Sequence, residues 1–214
     1  MANYSNKEEF LNAATHILGV LFGIAALSVM VTLSSVYGDA WSIASCAIFG
    51  FSIVVMYLAS SSYHIVQSPK VRPILKKLDH IAIYYLIAGT YTPFILTNVR
   101  TPIGWTVFYL IWTLAIIGTI LKLCLKANGT KAWSILLYVA MGCLMLVVSK
   151  HFFPLLTTTS IVFLFIGGLF YLSGIFFYMQ KSKNYTHAIW HVFVLLGTFM
   201  HFFAVLFSCV FTEV

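Results

Sequence analysis

Twelve basic and five acidic residues are spread so unevenly along 214 positions that seven long charge-free windows remain: 10–38, 40–69, 80–99, 101–121, 132–149, 151–180 and 184–212. Each window holds at least 18 residues, about the minimum that crosses a hydrocarbon core as a helix. The composition agrees. Hydrophobic residues make up 61% of the chain and charged residues 8%, against about 25% charged in an ordinary soluble domain. Period-two alternation of polar and apolar residues is absent, which excludes a membrane barrel and leaves helices, whose backbone bonds close within the segment. The expected fold is therefore all-α: a polytopic seven-transmembrane-helix bundle forming one membrane domain over 1–214. Its helices are expected near 12–36, 41–66, 79–99, 102–124, 132–149, 155–179 and 186–211. The connections are short and rich in turn formers, as in SPKVRP and ANGT.

The net charge of +7 raises nucleic acid as a partner, but the basic residues are dispersed and form no stripe, so none is expected. Their distribution reports topology instead. Loops on one side carry Lys7, Lys70, Arg72, Lys76, Lys77, Lys122, Lys126, Lys131, Lys181 and Lys183, and those on the other carry Arg100 and Lys150. Short basic loops stay in the cytoplasm, which predicts a cytoplasmic N-terminus, an external C-terminus and a multi-pass protein of the plasma membrane. The polar start MANYSNKEEF predicts no removable signal peptide, and its Ser5 and Glu8 fit a capping box that opens the first helix. Cys46, Cys124, Cys143 and Cys209 have no metal-binding spacing and read as small packing residues.

Ionisable groups inside spans are costly and mark functional sites. At ~1.5 Å per residue, His64 lies roughly 9 Å along the second span from Lys70, and His187 and His191 roughly 6 and 12 Å beyond Lys183 on the last span. Asp79 opens the third span at the same surface, so all four share one cytoplasmic-side layer. His187 and His191, four residues apart, project from one helix face and can grip one ion. With His64 as the third nitrogen they match a catalytic zinc site with a fourth position left to water, whose pKa the ion lowers to about 7. Asp79 is placed to orient that water, take its proton or fix a ligand tautomer, and Ser60, one turn before His64, to hydrogen-bond nearby.

Plainer readings stand beside these. Spacing alone leaves the trio equally open to hydrogen bonding between helices, the role expected of His16, His80, His151 and His201. Asp79 also suits an N-cap of the third helix, and Ser60 suits close helix packing.

The segments EEFLNAATHILG, YLASSSYH, LDHIAIYYLIAGTYTPF and HAIWHVFVLLGTFMHFF resemble the signature segments of the bacterial hemolysin III family, which is related to the adiponectin and progestin receptors and, more distantly, to alkaline ceramidases. The resemblance covers nearly the whole chain. It implies a seven-helix bundle with Zn2+ near the cytoplasmic face, His64, His187 and His191 as ligands, and Asp79 and Ser60 holding the zinc's water. The expected function is zinc-dependent hydrolysis of a lipid amide or ester, with a membrane lipid or fatty acyl chain as the ligand. The alternative is a pore-forming or lytic protein, or a sensor of membrane state, in which zinc is structural.

Overall fold

A computed structural model of the protein describes residues 4–124, 130–180 and 183–211. In chain order it contains α1 (Asn6–Tyr37), α2 (Ala40–Ile65), α3 (Arg72–Pro93), α4 (Pro102–Cys124), α5 (Thr130–Val147), the single turn α6 (Ser149–Phe152), α7 (Thr158–Met179) and α8 (Thr186–Cys209). No strand occurs among the described residues. Most of the turn expected at 127–130, together with Lys126, Lys181 and 212–214, lies outside them.

Helices α1, α2, α4, α7 and α8 are each long and apolar enough to cross a membrane, and α5 with the segment after it adds a sixth if that pair, bent by 51°, is one broken span. The remaining long helix, α3, carries Arg72, Lys76, Lys77 and Asp79 in its first turns. Large apolar side chains such as Leu21, Phe51, Leu58, Ile120 and Phe176 face outward, a surface that suits acyl chains and not water. The chain is a multi-pass membrane protein.

The helix ends follow local chemistry. The expected capping box is formed: Ser5 Oγ accepts from the Glu8 amide at 3.3 Å, and Glu8 accepts from the Ser5 amide at 2.9 Å. Asp39 caps α2 by accepting from the Ser42 amide at 2.8 Å, and that N–H holds its carboxyl below the ordinary range. Two expectations need correction. Helix α3 starts at Arg72, with Pro73 in its first turn, where a missing N–H and a fixed φ cost nothing. Asp79 is therefore inside the helix and does not cap it. The fifth span ends at Val147, and Phe153–Leu155 form a 3-10 turn, so α7 begins at Thr158, capped by Thr157. Past Pro93, which cannot donate to Gly89, the winding changes to a π-helix over Phe94–Asn98.

The most extensive packing is of α1 on α2, α7 on α8 and α2 on α3. Small residues allow it: a Cβ on Gly19 would lie 2.2 Å from the Tyr57 ring, and one on Gly167 would lie 2.3 Å from His201. By contrast, α7 meets α5 only marginally. The space bounded by α3, α5, α7 and α8 is a cavity of about 780 Å³, walled mainly by apolar side chains such as Ile83, Val139, Leu169 and Val194. Gly142 and Gly168 face open space within it.

Candidate metal centre beside an apolar cavity

The last turn of α2 carries His64, and the first turns of α8 carry His187 and His191. One ligand atom from each lies within 4.8 Å of the others. Ring centroids are separated by 5.3 Å for His64 and His187, 5.1 Å for His64 and His191, and 4.5 Å for His187 and His191. The start of α8 is fixed by its neighbours. Tyr185, in the left-handed region at φ 63°, donates its amide to Glu8 Oε1 at 2.9 Å, and Thr186 Oγ1 donates to the Gln180 and Lys183 carbonyls.

Two of the rings are held at one nitrogen and free at the other. His64 Nδ1 lies 2.6 Å from Glu9 Oε2, and His191 Nδ1 lies 3.1 Å from the Asn12 carbonyl and 3.3 Å from Thr15 Oγ1. Oxygen acceptors at Nδ1 select the tautomer whose Nε2 carries the lone pair. The Nε2 atoms of both residues are buried and have no hydrogen-bond partner, an arrangement that would cost about 1–3 kcal/mol per atom if nothing met them. Buried imidazole nitrogens without a partner, brought together from two helices, suit a divalent cation of borderline softness. His187, partly exposed, is stacked by Tyr4 with centroids 5.0 Å apart and lines the cavity.

The other candidates take different places. Asp79 is buried on α3 and lines the same cavity as His187 but is not in the three-histidine cluster, with Oδ2 3.7 Å from His80 Nδ1. Ser60 is fully buried one turn before His64, and its Oγ has no partner. His201 reaches the Leu164 carbonyl of α7 at 3.3 Å, the interhelical role expected of it. His80 instead contacts the Lys76 carbonyl of its own helix at 2.6 Å. His16 departs further: neither ring nitrogen has a partner, and the ring stacks on His191 with centroids 3.6 Å apart. Stacked imidazoles aim their lone pairs side by side and not at a common point, so His16 acts as a wall of the centre.

Sequence reasoning missed Glu9 and Tyr4. A carboxylate one turn into a helix also satisfies the helix dipole, which masked Glu9. The available signal was the antiparallel pairing of α1 and α2, which sets Glu9 opposite His64 and His16 opposite Tyr57.

The family described as haemolysin-III related matches residues 4–202 of the chain. The chain belongs to the haemolysin III family. Members similar to it include the Hemolysin-3 homolog of Bacillus subtilis (strain 168), 41% identical over 207 residues that cover 97% of each chain, and Hemolysin-3 of Bacillus cereus, 43% identical over 94% of this chain and 91% of that one. A more distant relative is the human monocyte to macrophage differentiation factor, 28% identical over 92% of this chain and 83% of that one. In this haemolysin III protein the three-histidine cluster is shared between a helix near the amino-terminal end and the last helix, so a group able to hold a metal ion draws on both ends of the matched region.

Proposed function

We propose that this haemolysin III protein crosses the membrane seven times, with its N-terminus in the cytoplasm, and that His64, His187 and His191 hold a zinc ion used to hydrolyse a lipid amide or ester. The observation that carries the reading is the pair of buried, unpartnered Nε2 atoms of His64 and His191, beside His187, which lines the apolar cavity. At about 780 Å³ that cavity falls in the roughly 300–1,000 Å³ range of small-ligand sites, and its apolar wall fits an acyl chain. Zinc in a three-histidine set polarises a carbonyl and makes water nucleophilic near neutral pH.

The protein's own residues supply the rest. Asp79, which lines the same cavity as His187, accepts the proton of the attacking water and returns it to the leaving group. Ser60, buried one turn from His64, offers its hydroxyl to the same water. The cavity holds the acyl chain and excludes bulk water from the scissile bond. Incubating purified protein with a panel of long-chain acyl amides and esters should release free fatty acid, with the activity removed by a zinc chelator and restored by zinc. No release across the panel would refute the hydrolase reading.

The orientation rests on the ten-to-two distribution of Lys and Arg between the two sets of loops. A reporter fused after Val214 should be active outside the cell, and activity only in the cytoplasm would overturn the orientation.

One further observation favours a second reading. Helices α2 and α8 touch each other little, so an ion held between them would tie them together, and zinc would then be a staple within a lytic or sensing protein. The name Hemolysin-3 carried by the relatives points the same way. Under this reading chelation lowers stability and no substrate is turned over.

A further inference from the structure

Four side-chain contacts close a ring around the base of His64. Its Nδ1 meets Glu9 Oε2 at 2.6 Å, and the other Glu9 oxygen takes the Arg72 guanidinium. Arg72 also donates to Gln67 Oε1, and Gln67 Nε2 donates back to the His64 carbonyl at 2.9 Å. The ring joins α1, the end of α2 and the start of α3. Glu9 is buried, with 8% of its surface exposed. His191 is oriented differently, by the uncharged oxygens of Asn12 and Thr15.

Building on the metal reading above, we propose that Glu9 is the positioning residue of the three-histidine centre, raising the donor strength of His64, and that Arg72 limits how far it does so. A carboxylate accepting the Nδ1 hydrogen pushes electron density toward Nε2 and fixes the ring plane. Its negative charge also sits one imidazole away from the bound cation. Arg72, on the other carboxylate oxygen, withdraws part of that charge. The two residues therefore act on metal affinity with opposite signs, although both contribute to the same helix contacts.

That opposition separates positioning from a purely structural clamp. In full-length protein purified in detergent, zinc affinity is measured by competition with a chromophoric chelator, and the coordination environment by the visible absorption of the cobalt(II)-substituted protein. Glu9→Gln keeps the shape and removes the charge, and should raise the zinc dissociation constant about 10- to 100-fold and shift the cobalt bands. Arg72→Gln frees the carboxylate from its cation and should bind zinc as tightly as the parent or more tightly. Should Glu9→Gln fail to fold, Glu9→Asp keeps the charge but draws it back by one methylene, and its loss should fall at the lower end of the same range. Parent-like affinity and spectrum in the Glu9 variants, or an Arg72→Gln loss equal to that of Glu9→Gln, would overturn the proposal. A parent protein that takes up no metal would overturn the metal reading and this proposal together.

Discussion

Asp79→Asn is expected to lower turnover of an acyl substrate about 10²- to 10⁴-fold, the scale of lost general-base help, while zinc content and thermal stability stay near those of the parent. The substitution keeps the size and much of the hydrogen bonding of a side chain buried on the cavity wall and removes only its charge and basicity. Because Asp79 is not in the three-histidine cluster, its loss should spare the metal. His80, whose Nδ1 lies 3.7 Å from Asp79 Oδ2, is anchored independently on the Lys76 carbonyl, so the helix should survive the change. Zinc content, melting temperature and fatty-acid release measured on one preparation separate the two readings of the metal. Turnover unchanged in Asp79→Asn would remove the residue from the chemistry, and zinc falling in parallel with turnover would make it a ligand.

The second large effect is on the metal itself. His187→Ala with His191→Ala should take the protein from about one zinc per chain to background, because it leaves His64 as the cluster's only imidazole and the stacked His16 ring is not aimed to replace them. Ligand binding stabilises a native state by about 2.7 kcal/mol when free zinc is 100 times its dissociation constant. A chelator should therefore lower the melting temperature of the parent and leave that of the double variant unmoved. Retention of zinc by the variant would place the metal elsewhere.

Much of this arrangement was legible in the sequence, and the reasons differ between elements. Charge-free windows marked the long helices because burying a charge in hydrocarbon is costly, and Ser5 and Glu8 announced the start of α1 because a capping box is a local motif. The i, i+4 spacing of His187 and His191 on one helix face, with His64 at a matching depth, named the cluster found among the described residues. What failed depended on contacts between elements. Charge is a poor guide where a helix begins outside the hydrocarbon, so α3 was expected to start seven residues late, at Asp79 in place of Arg72. Around the connection expected at 150–154, α5 stops two residues before the expected 149 and the next long helix starts at Thr158 in place of 155, because the apolar residues between suit a single α turn and a 3-10 turn as well as a long helix. Glu9, Tyr4 and the stacked position of His16 depend on how α1 lies against α2 and α8, and no spacing within α1 encodes that.

Anomalous scattering at the zinc edge, from crystals of the parent protein, would reveal whether His64, His187 and His191 form a zinc centre at the edge of an acyl-chain cavity. One strong peak per chain is expected within about 2.0–2.1 Å of Nε2 of His64, Nε2 of His191 and a ring nitrogen of His187. A peak at another set of side chains, or no peak in zinc-replete crystals with these rings well ordered, would contradict it.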